Sequence, residues 1–364
     1  MFGRFFKAPT LTNGAWSSFN DDFLFSTDRF VSYEYTKRLS KPGSFSLSMP
    51  FDRDRLRKLE LMGTVCMDGQ DWLLVENISY DGQTITLSGK DMKGLLDTRI
   101  ALYGTASGGY DIASGTTAEC LKHYLDNNCI SPADSSRALP LAWRSGAQGL
   151  ASDSYMARFE PLSDIFSELC DNAGIGYDIR RSGSTFGFQT IQGVDRSYAQ
   201  SVRPRVIFCL GWKSVRSQLF EHGVDNLINV VYATGTNEVT NAVYRGGTEK
   251  TGVFRREHNV SVNVSTVDEY FEKYAYKDLS DNVESHSFTV EAALTSGYGT
   301  AYDLGDIVTV KDDYTRNMFN KVVTEVTQTF GSGNRELKLV LGQQKQKPLQ
   351  KIVNNLLSGT QRRR

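Results

Sequence analysis

The chain has 364 residues, 41 of them basic and 42 acidic, for a formal net charge of −1. That balance excludes a protein that grips nucleic acid by neutralising phosphates, though not a conduit through which DNA slides. With 23% charged and 40% hydrophobic residues the chain reads as globular, and its length suits roughly two to three domains.

In chain order, Phe23–Ser26 and Phe30–Thr36 read as strands. Lys41-Pro42-Gly43 is a turn, and in Ser44–Pro50 the strict alternation places Phe45, Leu47 and Met49 on one face. Asp52–Glu60 is a charged turn or short helix. Gly63–Met67, Trp72–Tyr80 and Thr84–Gly89 follow as strands, the last two joined by an Asp81-Gly82 hairpin turn. Lys90–Leu96 looks helical or irregular, and 104–118 reads as an exposed loop rich in Gly, Ser and Thr.

Two helices come next. The first spans about 116–126, capped by Thr116 or Thr117, with Leu121, Tyr124 and Leu125 as its apolar stripe. The second spans about 161–173, with Pro161 in its first turn, Leu162, Ile165, Phe166, Leu169 and Cys170 at helical spacing, and a stop at Asn172-Ala173-Gly174. Gly176–Arg180 and Phe186–Thr190 make a strand pair. Further strands are expected at Arg205–Phe208, Asn226–Ala233, Phe288–Ala292, Asp306–Val310, Asn320–Thr329 and Leu337–Gly342, with a helix over Val267–Tyr276.

Two stretches look alike. Gly63–Val65, Val75–Ser79 and Thr84–Gly89 parallel Asp306–Val310, Val323–Thr327 and Leu337–Gly342, although the face parity of the last strands does not match. The expected architecture is α+β, mainly β: two tube-type β-barrel domains with inserted α+β elements, in a ring-forming trimer. The boundaries are 1–104 for the first barrel domain, 105–200 for an inserted α+β domain, 201–345 for the second barrel domain with a helical excursion near 266–282, and 346–364 for a C-terminal tail. A chain with two such barrels can trimerise into a closed ring of six quasi-equivalent barrels.

The search for chemistry yields no catalytic set, no cofactor site and no metal-ligand set. The four histidines, 123, 222, 258 and 286, form no HExxH, and neither a GxSxG elbow nor a Walker loop is present. Cys120 and His123 share a helix face by spacing. Asp303, Asp306, Asp312 and Asp313 lack calcium-loop spacing, and Trp72, Trp143 and Trp212 are scattered. The five cysteines, an odd number without a CxxC pair, read as reduced thiols. The N-terminus lacks the apolar region of a signal peptide, and no apolar run approaches the ~18 residues of a membrane span.

Several segments, in order, carry a resemblance. These are Tyr33–Pro50 with its Pro-Gly-x-Phe-x-Leu core, Gly193-Val194-Asp195-Arg196-Ser197, the strand Asn226–Tyr232, the turn Tyr302-Asp303-Leu304-Gly305-Asp306 entering Ile307-Val308, and Leu339–Leu349. Across nearly the whole chain the pattern resembles the baseplate-hub proteins of long-tailed bacteriophages, the structural N-terminal regions of siphophage tail-associated lysins, similar in fold to the contractile-tail hub. The resemblance implies a virion protein assembled in the host cytoplasm. It would be a homotrimer capping the distal end of the tail tube and contacting the distal tail ring protein, the tape measure protein and tip or receptor-binding proteins, with DNA passing through unbound. Tyr302, Asp303, Leu304, Gly305 and Asp306 are then the fold signature. Candidate interface residues are Arg53, Arg55, Arg57, Lys58, Lys90, Lys93, Lys345 and Lys347. Many relatives continue into a long C-terminal extension; here the chain ends soon after the second barrel, so wall-degrading or host-binding activity is expected on another polypeptide. The alternatives are a tail-associated hydrolase with its site in the 105–200 block, where Glu160 and Glu168 are the residues to replace if activity appears, or a carbohydrate-binding adhesin.

Overall fold

The computed structural model describes residues 1–342 apart from 70, 103, 105–108, 150–152, 236–241, 262–274, 277, 280–281, 294–296 and 332–333. The chain divides into two compact units, 1–219 with 289–344, and 220–288 with 345–364.

A 13-stranded sheet dominates. Its strands are β1 (Gly3–Phe6), β2 (Phe23–Thr27), β3 (Ser32–Arg38), β4 (Ser44–Pro50), β5 (Thr64–Met67), β6 (Asp71–Tyr80) and β7 (Thr84–Asp91), then β8 (Ile207–Phe208), β9 (Val215–Gly223), β10 (Ser285–Ala292), β11 (Ile307–Lys311), β12 (Met318–Gly331) and β13 (Asn334–Gly342). The spatial order is β9-β10-β13-β12-β3-β4-β7-β6-β5-β1-β2, with β11 on β12 and β8 on β11. Among the described residues this is one open sheet, and the strands of the two expected barrels share it rather than closing separately.

The repeat seen in the sequence is present in the hydrogen bonding. β3 to β7 lie in the order β3-β4-β7-β6-β5, and β9 to β13 lie in the order β9-β10-β13-β12-β11. Each group thus places its first, second, fifth, fourth and third strands side by side. Both long fourth strands break register at one point, between Val75 and Asn77 and between Val323 and Glu325. At the same place Met62 N–H donates to Val75 O (2.7 Å) and Val75 N–H to Gly63 O (2.9 Å), while Gly305 N–H donates to Val323 O (2.8 Å) and Val323 N–H to Asp306 O (2.9 Å). Met62 and Gly305 both hold positive φ, 64° and 94°. The register also explains the parity mismatch: Val75 faces Gly89, whereas Val323 faces Leu341, so Gly89 and Gly342 are one residue out of step. A β-carbon at Gly89 would lie 2.1 Å from the Leu74 carbonyl oxygen, so that strand has no room for a side chain there.

Around β5 and the first half of β6 the sheet is buried on both faces. Phe5, Phe45, Leu47, Met49, Val65, Leu73 and Leu87 form one core; Phe6, Cys66, Trp72 and Leu74 point the other way into a second. Strands covered on both faces read as unbroken apolar runs, which is why Thr64–Met67 and Trp72–Val75 show no alternation. The second core is closed by α2 (Thr117–Leu125), α3 (Leu162–Ala173) and the strands Gly176–Ser182 and Thr185–Ile191. Thr116 caps α2 in a reciprocal capping box with Glu119. Pro161 is the N-cap of α3 rather than a residue of its first turn, and Gly174 ends the helix at φ 65°.

In the second unit, Val230–Thr234 pairs antiparallel with Val243–Tyr244 and parallel with Glu257–Ser261. Val231, Ala233, Val243, Ala275 and Leu279 are its core. The strand expected over Asn226–Ala233 begins only at Val230. Of the expected helix 267–276, residues 275 and 276 are helical and 267–274 lie outside the described residues.

All five cysteines are free and buried. Burial pushes the Cys66 thiol up to about 11 and the Cys129 thiol up to about 12. The native protein is therefore expected to release almost no thiolate to a disulfide reagent at pH 8 and to titrate five thiols once denatured, which an absorbance assay with and without denaturant checks.

Candidate functional site

The two glycine-containing motifs that carry the family resemblance lock together. Asp306 is 5% exposed. Its Oδ1 accepts from Val194 N–H (2.7 Å), and its Oδ2 accepts from Arg196 Nε (2.8 Å) and Asp303 N–H (3.0 Å). Ile307 N–H donates to Val194 O, and Arg196 N–H to Ile307 O. A β-carbon at Gly193 would sit 2.0 Å from the Gly305 carbonyl, so the two turns touch backbone to backbone. Tyr302 is buried edge-on against Phe208, with ring centroids 5.3 Å apart. These contacts hold β11 in place, and Tyr302 and Asp306 are buried within them. Asp306→Ala strands Val194 N–H, Asp303 N–H and the Arg196 guanidinium, and is expected to cost about 3 kcal/mol, read as a lower urea midpoint.

The candidate interface residues fall into three groups. Arg53, Arg57 and Lys58 are exposed on or beside the short helix α1 (Arg53–Leu56), which Asp52 caps by accepting from Asp54 and Arg55 N–H. Arg55 is half-buried: its Nη1 donates to Thr27 Oγ1 at 3.2 Å, and its guanidinium lies 5.8 Å from the Phe25 ring centre. Lys90 is part-exposed and paired with Asp97 at 2.9 Å.

Lys93 departs from the expectation. It is 1% exposed, and its ammonium donates to the Leu39 and Lys41 carbonyls at 3.3 and 3.4 Å and to Arg38 O. Burial lowers its affinity for the proton, opposed by Asp91 and Asp178. Such a lysine ties the chain together internally and cannot face a neighbour. Lys345 and Lys347 lie outside the described residues.

The residues named for the enzyme alternative are each engaged within the chain. Glu160 and Glu168 both accept from the Tyr155 hydroxyl, at 3.3 and 2.7 Å. Burial and then these two carboxylates raise the proton affinity of that phenol far above its ordinary range. His123 Nε2 is engaged by Asp111 Oδ1 at 2.7 Å, while Cys120 is fully buried. Asp312 is taken up by Tyr314 N–H and Thr315, and Asp313 by Gly211 N–H and the Cys209 thiol, so the calcium-loop idea also fails. Trp72 is core, Trp143 stacks on Phe188, and Trp212 is exposed beside Lys311.

One side-chain cluster escaped the sequence reading. His222, Glu284 and His286 offer three ligand atoms within 4.8 Å of one another. Glu284-x-His286 has the spacing of two residues on one strand face, but the third member lies 62 positions away in the chain.

The fold is similar to that of phage tail proteins. The chain matches the tail protein from Neisseria meningitidis MC58 with a TM-score of 0.55 and 15% identity, over 88% of this chain and 93% of that one. It matches the 43 kDa tail protein of prophage MuSo2 from Shewanella oneidensis with a TM-score of 0.52 and 14% identity, over 96% and 98%. A chain of the lidded Francisella PdpA-VgrG complex also matches, with a TM-score of 0.50 and 9% identity; 94% of this chain covers 52% of that one.

The family model for the Siphovirus ReqiPepy6 Gp37-like protein matches residues 22–343, and the chain belongs to that family. No curated protein matches it. The siphophage tail resemblance drawn from the sequence motifs is thereby borne out.

Proposed function

We propose that the chain is a non-enzymatic baseplate hub, three copies of which cap the distal end of a phage tail tube and join the distal tail ring to tip or fibre proteins. The observation that carries this reading is the internal pairing of the two repeats. Past its register break, β12 pairs through Glu325–Gly331 with β3, the first strand of the other repeat. The equivalent stretch of β6 is Asn77–Tyr80. β5 covers β6 only from Asp71 to Leu74, and β9, the equivalent of β3, has a strand on one side only among the described residues. An unpaired strand edge is a template for another chain. Pairing β6 of one copy with β9 of the next repeats the internal contact, and three copies then close a tube of six repeats.

The charged segment after β4 adjoins this edge, since Phe51 packs against Tyr80 with ring centroids 6.2 Å apart. Arg53, Arg57 and Lys58 therefore serve as flanking contacts in the proposed ring. The near-zero net charge suits a lumen through which DNA passes without sticking. In this reading the barrels expected from the sequence close between copies rather than within one.

Light scattering on a sizing column, across a concentration series, tests the proposal. Three times the 40.7 kDa chain mass is expected. A protein that stays monomeric even with the distal tail ring protein added overturns it.

A further inference from the structure

We infer that His222, Glu284 and His286 form a binding site for a zinc ion. His222 is the next-to-last residue of β9, Glu284 immediately precedes β10, and His286 is the second residue of β10; all three belong to the second compact unit. The two imidazoles stack with centroids 4.0 Å apart and planes 22° apart. Both direct Nε2 at the same atom, Glu284 Oε1: His286 at 3.6 Å, His222 in direct contact. Two ligands on one tetrahedral zinc, with bonds of about 2.0–2.1 Å, stand roughly 3.4 Å apart, so the His286–Glu284 spacing already suits the ion. His222, 44% exposed, has to swing out of the imidazole stack and off Glu284 for both Nε2 atoms to converge on one ion.

One flank of the site is apolar. Phe220 and Phe288, two residues along each strand from the histidines and so on the same face, have ring centroids 4.7 Å apart; Phe220 is 6.3 Å from each imidazole, and Phe288 is fully buried. Those rings limit how the imidazoles can tilt on that side, as supporting groups do for metal-bound histidines. The other side is open, with the three side chains 44%, 45% and 27% exposed, which leaves a fourth position for water.

Donor chemistry selects the ion. Two imidazole nitrogens and one carboxylate oxygen suit zinc and its late first-row neighbours, whereas calcium and magnesium call for oxygen shells. All three ligands come from one chain, so the site does not need the ring to form, although His222 lies on β9, the strand proposed above as the ring edge.

The test titrates zinc chloride into chelator-treated full-length protein by calorimetry. One ion per chain is expected with a micromolar dissociation constant, and none with magnesium or calcium. His222→Gln, His286→Gln and Glu284→Gln each weaken binding by at least about tenfold, the scale at which even supporting groups matter. His123→Gln and His258→Gln bind as the parent does. Cobalt substitution adds a visible absorption band that the three variants lose, and circular dichroism confirms that these partly exposed replacements fold. No saturable zinc uptake up to about 1 mM, where affinity amounts to only ~4 kcal/mol, overturns the inference. So does uptake that survives all three replacements.

Discussion

Proline at Ile78 or Ser79 is expected to separate folding from ring closure. Adjacent residues in a strand point their N–H groups to opposite sides, so one of the two faces β7 and the other the open edge of β6. The inward-facing proline breaks the β6–β7 ladder and lowers the stability of the monomer. The outward-facing one leaves circular dichroism and the urea midpoint nearly unchanged but removes a donor and adds a clash at each contact between copies. That weakens each of the three contacts by roughly 1–3 kcal/mol, and light scattering then reports a monomer at concentrations where the parent is a trimer. A cysteine at Ser79 combined with one at Ser217, Leu219 or Glu221 gives an independent reading, because one register of β6 against β9 should cross-link into a closed trimer. Trimers that persist with both prolines, without any such cross-link, place the interface elsewhere.

What the sequence revealed follows physical pattern. Ser44–Pro50 was legible because one face is buried and the other is not: Phe45, Leu47 and Met49 are 5%, 0% and 0% exposed. Both long helices were legible from their caps and apolar spacing. β1 was missed because Arg4-Phe5-Phe6 has too few residues to show a period, and its two phenylalanines enter opposite cores. β9 was missed for the converse reason: most of Val215–Gly223 is exposed, so neither face is marked. That edge is the feature from which the ring is argued. The two repeats bulge at the same place, Glu76 and Thr324, and looked out of phase in the sequence only because Gly89 was matched with Gly342 rather than with Leu341, the residue that faces Val323. Lys93 looked like surface charge because a buried lysine cannot be told from an exposed one until the carbonyls of Arg38, Leu39 and Lys41 fold around it.

Arg181 and Asp22 are expected to give the largest single-site losses of stability. Their side chains are 1% and 4% exposed and form an ion pair 159 positions apart in the chain. The guanidinium is enclosed by rings, with centroids at 5.4 Å for Phe6, 5.4 Å for Phe19, 5.7 Å for Phe186 and 6.0 Å for Trp72. Asp22 also accepts from Ser17 Oγ at 2.9 Å. Removing either partner leaves a charge in a core with no water to solvate it, at a cost of about 3–5 kcal/mol. Asp22→Ala and Arg181→Ala should each shift the urea midpoint accordingly, and the two losses should not add. The Arg181 Nη1 has no hydrogen-bond partner and faces π surfaces instead. An apolar side chain of similar length can therefore fill the slot, and Arg181→Met combined with Asp22→Leu should recover most of the loss. The exposed pair Arg216–Glu291, at 3.4 Å, is the control: breaking it should change stability by less than about 1 kcal/mol. If the double replacement proves as destabilising as either alanine alone, the pair is needed for its charge, and the aromatic enclosure is secondary. If it recovers, the ion pair acts chiefly to orient Gly176–Ser182 against the N-terminal strands, and burial of the four rings supplies the energy that joins them.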